Sequence, residues 1–182
     1  EAMQDVDLSR WRVVINAGEA VLPETLARFE ERFRPYGFDA KGFIPCYGLA
    51  ESSVALTFPP LWRQPLVDTI DRTRFARDGV AKPEKGGHNR ADVVRFVANG
   101  RPIPGHEIRI VDEQDRDVAE RVRGRILFRG PSKTSGYYCN SEATKAVTNK
   151  DGWMDTGDVG YSADAEIYIT GRLKETIIKG GH

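Results

Sequence analysis

The sequence predicts an α/β layered sheet portion followed by a mostly antiparallel, β-barrel-like subdomain. Three observations carry that expectation. Residues 11 to about 60 read as strand, helix, strand, the order that a layered sheet produces. From Val97 onward, short β-rich runs recur at close spacing between turn signals. Between them, from about residue 60 to 95, charges, proline and glycine mix with weak periodicity, as in an irregular excursion joining two units. With 182 residues, the chain has the bulk for a sizeable core.

The elements follow in order. The polar start, Glu1 to Trp11, lacks an initiator methionine, so an upstream part is expected. Trp11–Ile15 is a short β-rich run ending in the small-residue turn "NAGEAV". "PETLARFEERF" reads as a helix. Pro23 suits a first-turn position, Glu24 favours the N-terminus, and Leu26, Phe29 and Phe33 fall on one face. After a turn at Pro35-Tyr36-Gly37, "FIPCYGLAESSVALTFPP" holds two short apolar runs flanking a glycine. The excursion carries at most a short strand near Thr73–Phe75. Strand runs are then expected at Glu107–Val111, Arg125–Phe128, Val159–Tyr161 and Glu166–Thr170, separated by turn signals such as "DEQDRD" and "KDG". One short helix fits "SEATKAV", with Asn140 or Ser141 as its N-cap.

Composition narrows the function classes. Lys plus Arg equals Asp plus Glu at 27 each, so no basic excess exists to displace counterions from phosphates, and no nucleic-acid partner is expected. Cys46 and Cys139 give neither a disulfide framework nor metal-ligand spacing. No apolar run is long enough for an integral membrane segment, and the N-terminus lacks a signal-peptide layout. A cytoplasmic globular chain is the expectation.

Four segments have the composition of a ligand site, and each has a plainer reading. "NAGEAV" lets a planar ligand approach the backbone at Ala17 and Gly18, or is an ordinary strand-to-helix turn. In "CYGLAES", Tyr47 is suited to stacking on a base and Glu51 to oxygen ligation of a divalent cation. The same residues also read as a core tyrosine beside a solvated glutamate. "GWMDTGDVG" places two carboxylates around a Thr-Gly turn, suited to accepting both hydroxyls of a ribose, or is a hairpin turn. "GRLKE" adds a guanidinium for the same sugar, or a surface salt bridge.

Taken together with "GRPIPGHEIRIVD", "GRILFRGPSKTSGYY", "DGWMDTGD" and "YITGRLKETIIKGG", the order and spacing of these segments strongly resemble the adenylate-forming superfamily. That superfamily includes acyl-CoA synthetases, fatty acyl-AMP ligases, luciferases and nonribosomal adenylation domains. The resemblance runs from Trp11 to the end and is weakest over the excursion. It implies that Ala17, Gly18 and Glu19 border the adenine and that Tyr47, next to Gly48, stacks on it. Glu51 corresponds to a magnesium-associated glutamate. Asp158 accepts from the ribose hydroxyls, Arg172 donates to the sugar or phosphate, and Lys174 sits at an interdomain hinge. The implied division is 1–95 as the end of the α/β subdomain, 96–172 as the β-barrel-like subdomain, and 173–182 as the hinge with the start of a further domain. No Ser/Thr/Gly-rich, lysine-containing phosphate loop is present in the sequence, so the chain is expected to be a piece of a longer enzyme and inactive alone.

The implied chemistry is attack of a carboxylate on ATP with Mg2+, giving acyl-AMP, then transfer to a thiol of coenzyme A or an acyl-carrier protein. One departure bears on the acid. Ala50 stands where many members have a threonine, and "YGLAE" is the form associated with fatty acyl-AMP ligases, which points to a long-chain fatty acid. The Gly180-Gly181-His182 ending departs from that branch and leaves an acyl-CoA synthetase open. A non-catalytic nucleotide-binding or interaction module is the alternative of another class, but a mere scaffold does not require Tyr47, Glu51, Asp158 and Arg172 together.

Overall fold

The computed structural model describes residues 5–84 and 91–173. Strand β1 (Val14–Asn16) leads into helix α1 (Pro23–Phe33) and strand β2 (Phe43–Pro45), which pairs with β1 in parallel. A parallel pair needs a crossover connection, and α1 supplies it. The helix starts at Pro23, whose fixed φ suits a first turn, with Glu24 at the positive end of the helix dipole and Arg32 in the last turn. Its Leu26 is buried, and Phe29 and Phe33 pack with Phe38 and Phe43. The Phe29–Phe38 and Phe38–Phe43 rings meet edge-on at 5.3 Å and 5.0 Å. Burying each such side chain stabilises by about 1.5–3 kcal/mol.

After β3 (Thr57–Phe58), the stretch expected to be irregular is structured. Strand β4 (Val67–Asp71) runs into helix α2 (Arg72–Asp78), and β5 (Val93–Val97) returns antiparallel to β4. The strand expected near Thr73–Phe75 is therefore helix. Its cause is local: the Asp71 side chain accepts from the Arg74 N–H at 2.8 Å, and Gly79 ends the helix in the left-handed region. Phe75 is its one buried residue and meets Phe96 and Tyr161. A single apolar anchor among charges leaves no periodicity to read.

Strand β6 (Arg101–Pro102) pairs with β3, and β7 (Glu107–Val111), β8 (Gly124–Arg129), β9 (Met154–Ala163) and β10 (Glu166–Arg172) form an antiparallel meander in the order β10-β9-β8-β7. Helix α3 (Ser141–Val147) fills the β8–β9 connection, with the Asn140 side chain accepting from Ala143 N–H at 3.0 Å. The antiparallel expectation takes the form of this four-stranded sheet flanked by the β3–β6 and β4–β5 pairs.

Core clusters pack side chains from both sides of position 95. One cluster joins Ile70, Phe75 and Ala81 to Tyr161, Ala163 and Tyr168. Another joins Tyr47 and Leu56 to Ile126, Phe128 and Met154.

Candidate functional site

The site begins with a defect in a strand. Between the pairs Leu127–Asp155 and Arg125–Val159, β8 advances two residues while β9 advances four. The surplus at Thr156–Asp158 makes a β-bulge, which re-aims side chains and increases local twist. Gly157 takes φ +75°, which glycine adopts without penalty. Side chains close the bulge from within. The Asp155 carboxylate accepts from Gly157 N–H, the Thr156 hydroxyl accepts from Asp158 N–H, and that hydroxyl donates to Ile126 O. The sequence reading of "DTGD" as a tight loop or hairpin turn is corrected: the segment lies within β9, and the bulge supplies the turn-like geometry.

Asp158 is left 6% exposed. A buried carboxylate is costly without partners, and it has two. The Tyr47 hydroxyl donates to Oδ2 at 2.6 Å and the Arg172 Nε to Oδ1 at 3.1 Å. Tyr47 leaves the end of β2 with its carbonyl accepting from the Leu56 and Thr57 N–H groups, and its ring packs in the core cluster of Leu56, Ile126, Phe128 and Met154. Burial first, and the Asp158 charge second, push its phenol far above the usual tyrosine range, so it remains a donor. Arg172 comes from the end of β10, where the pairing with β9 shifts between Ile169 and Gly171. Its guanidinium stays largely solvent-facing.

These groups wall a cavity of about 390 Å³. Gly18 and Glu19 line it together with Tyr47, Gly48, Asp158 and Arg172. Gly48 has no alternative, because a Cβ there would lie 1.8 Å from the Val54 carbonyl oxygen. A larger, open groove of about 730 Å³ runs along α1 past Arg28, Phe29, Arg32 and Tyr36, but it offers no buried carboxylate to read a sugar.

The structure thus gathers six of the nine expected residues. Ala17 does not line the cavity, and neither does Glu51. Glu51 sits on a single 3-10 turn, Ala50–Ser52, with its Oε1 accepting from the Tyr137 hydroxyl at 2.7 Å. Lys174 lies outside the described residues. Among the described residues, no group of three or more His, Cys, Asp or Glu side chains converges as a metal cage. A lone carboxylate fits Mg2+ that arrives on substrate phosphates, since that ion is commonly held by one or two carboxylates, waters and the phosphates.

Sequence reasoning missed Ala20, Val21, Ile169, Gly171 and above all Asn99. Asn99 is buried. Its amide donates to Cys46 O at 3.5 Å, its side-chain oxygen accepts from Ile169 N–H at 3.4 Å, and its own N–H donates to Ile167 O at 2.8 Å. It ties the end of β2 to β10, two walls of the cavity. The signal was a polar residue closing the apolar run "VVRFVAN", which has no distinctive spacing.

The AMP-binding enzyme family matches residues 1–138. The chain belongs to that family. A Caulobacter vibrioides protein that carries a provisional acyl-CoA synthetase name is 38% identical over 181 residues, covering 100% of this chain and 31% of that protein. The medium-chain-fatty-acid–[acyl-carrier-protein] ligase JamA of Moorena producens is 32% identical over 190 residues, covering 100% of this chain and 32% of that one. Among solved structures, one from work on fatty acyl-adenylate ligases of E. coli and L. pneumophila shares 40% identity at a TM-score of 0.83. It covers 93% of this chain and 30% of that chain. The L. pneumophila fatty acyl-adenylate ligase in complex with acyl adenylate and pyrophosphate superposes at a TM-score of 0.87 with 28% identity, over 96% and 31% of the two chains. The fold is therefore that of part of an adenylate-forming enzyme, and the chain spans about a third of the length of the relatives it matches. Among the described residues no helix is long and apolar enough to cross a membrane.

Proposed function

We propose that this chain carries the nucleoside-binding part of an ATP-dependent fatty acyl-adenylate-forming ligase that works in the cytoplasm. The observation that supports it best is the buried Asp158, fixed by the Tyr47 hydroxyl and the Arg172 guanidinium in the lining of a cavity that Gly18, Gly48 and Gly171 share. Each carboxylate oxygen has two acceptor sites, so Asp158 retains capacity for ribose hydroxyls while Tyr47 and Arg172 hold it in place. Gly18, Glu19, Tyr47 and Gly48 border the base, with Ala17 at the edge of the same loop. Glu51 would hold Mg2+ on the ATP phosphates, where the ion supplies charge neutralisation during nucleotidyl transfer. Arg172 adds positive charge from the protein itself.

In this reading a long-chain fatty acid becomes acyl-AMP and is passed to an acyl-carrier-protein thiol. JamA, whose name states a carrier-protein acceptor, supports that choice, while the Caulobacter relative's name favours the second reading, an acyl-CoA synthetase using coenzyme A. Residues 1–95 would belong to the α/β subdomain, 96–172 to the β subdomain and 173–182 to a hinge at Lys174. The 182-residue chain by itself would give only background ATP–pyrophosphate exchange, since its sequence contains no phosphate loop.

The experiment is to measure the two half-reactions separately in the whole protein. Asp158→Ala should cost about 2–4 kcal/mol in kcat/KM for ATP, because bound hydroxyls lose a charged acceptor. Lys174→Pro should spare pyrophosphate exchange and depress thioester formation, which needs domain rotation. Unchanged ATP kinetics in Asp158→Ala would remove the nucleoside assignment, and loss of exchange in Lys174→Pro would remove the hinge.

A further inference from the structure

The turn that carries Glu51 has little structure of its own. It is one 3-10 turn, Ala50–Ser52, followed by Ser53 and Val54 at φ +53° and +82°. Such a turn cannot by itself fix a long, three-torsion side chain. A loop far along the chain, residues 130–137, supplies the missing constraints. Thr134 N–H donates to Glu51 O at 2.8 Å, the Ser132 hydroxyl to Ser52 O at 2.8 Å, and the Ser53 hydroxyl to Ser132 O at 3.2 Å. His106 Nε2 lies 2.6 Å from the Ser132 hydroxyl and steadies it from the other side. The last contact reaches the carboxylate itself: the Tyr137 hydroxyl donates to Glu51 Oε1 at 2.7 Å.

Tyr137 is anchored in turn. Its N–H donates to the Thr144 hydroxyl of α3 at 2.9 Å, and that hydroxyl donates to Asn140 O, the helix cap. At Gly136, φ is +145° and a Cβ would lie 2.7 Å from the Thr144 side chain, so chain and helix meet closely. A phenol has one proton to give. With that hydrogen bond donated to Oε1, Glu51 Oε2 and the remaining acceptor sites stay open to a cation.

We infer that Tyr137 is a positioning residue, which orients the Glu51 carboxylate toward a divalent cation carried on the nucleotide phosphates. The inference rests on the reading of Glu51 given under the proposed function. Groups that hydrogen-bond a metal's ligands set their orientation, and their loss typically costs about 10–100-fold in metal affinity. The opposite role makes the opposite prediction. If the Tyr137 hydroxyl held Glu51 away from the cation, its removal would tighten binding.

The test uses the whole protein with α,β-methylene-ATP and Mn2+ as the probe, reading free Mn2+ by electron paramagnetic resonance. Tyr137→Phe keeps the ring and removes one oxygen. Tyr137→Phe should weaken Mn2+ binding about 10–100-fold, Glu51→Gln should weaken it at least as much, and the double variant should be no weaker than Glu51→Gln, as for two groups acting through one contact. Tyr138→Phe, which removes a hydroxyl from the exposed neighbouring tyrosine and no group bonded to the carboxylate, is the control and should stay within about threefold of the parent. Tighter or unchanged binding in Tyr137→Phe, with Glu51→Gln still weakened, would overturn the positioning role while leaving the role of Glu51 intact. Unchanged binding in Glu51→Gln would overturn the reading of Glu51 and the inference with it.

Discussion

Asp158 and Glu51 are both carboxylates that accept a tyrosine hydroxyl, at 2.6 Å and 2.7 Å, yet they sit in different kinds of structure. Asp158 is buried on a bulged strand, and its tyrosine is part of a core cluster. Glu51 is half-buried on a short turn, and its tyrosine stands on an exposed loop. The first pair is fixed by sheet pairing and packing, so it is in place before any ligand arrives. The second is fixed by a handful of hydrogen bonds between two loops, which open at lower cost than paired strands. Under the proposed roles, a group that reads a neutral sugar benefits from rigidity, whereas one that meets a hydrated cation must tolerate changes in its coordination. The tyrosines differ accordingly: burial dominates the upward shift of the Tyr47 phenol, while the hydrogen bond to Glu51 dominates that of Tyr137.

The comparison can be broken most severely at Gly48, which lies between the two. Gly48→Ala forces a methyl onto the Val54 carbonyl and should destabilise the fold by about 1–3 kcal/mol, as overpacking does, read from urea midpoints. It should also loosen both carboxylates; an unchanged midpoint would mean that the close approach at Val54 is not fixed in solution.

A smaller effect separates the two tyrosines in alkali. Tyr47, Tyr161 and Tyr168 are all raised by burial, Tyr168 to about 12. Below about pH 10 each is protonated whether folded or unfolded, and stability does not depend on it. Above that, the unfolded chain releases protons that the folded chain keeps, so stability falls as pH rises, by about 1.4 kcal/mol per pH unit for each such group. Tyr47→Phe should flatten the fall between about pH 10 and 12 by one group's share. Chemical denaturation at several pH values checks this, and an unaltered slope would place the Tyr47 phenol in contact with water.

The smallest effect lies on the Glu51 side. Asn140→Ala removes the cap of α3, worth about 1 kcal/mol. It should speed amide hydrogen exchange at Ala143 and Thr144 while leaving Asp158 and its neighbours protected. Equal acceleration in β9 would show that the two sides are not independent.

Much of the fold was legible because its causes are local. Helix α1 begins and ends where Pro23 and the Leu26, Phe29, Phe33 stripe place it, Asn140 caps α3, and the meander strands contain the expected runs, although β9 begins at Met154, well ahead of its run at Val159–Tyr161. Helix α2 was hidden because one phenylalanine anchors it among charges. The bulge at Thr156–Asp158 was unreadable since it exists only relative to the register of β8. The candidate site residues came as a set from family resemblance, but their partners did not: Tyr47 and Asp158 are 111 residues apart, and Glu51 and Tyr137 are 86. No local pattern encodes which distant hydroxyl a carboxylate will receive.

The core clusters that cross residue 95 give the two expected units a common fate. Ile70 and Phe75 share their apolar contacts with Tyr161 and Tyr168, and Leu56 shares its contacts with Ile126 and Phe128. Neither half can melt without exposing the side chains that the other has buried. Heating should therefore give one sharp calorimetric peak whose van't Hoff and calorimetric enthalpies agree. The cavity lined by Tyr47, Asn99 and Asp158, walled by both halves, would persist to the same temperature as the sheet beneath it.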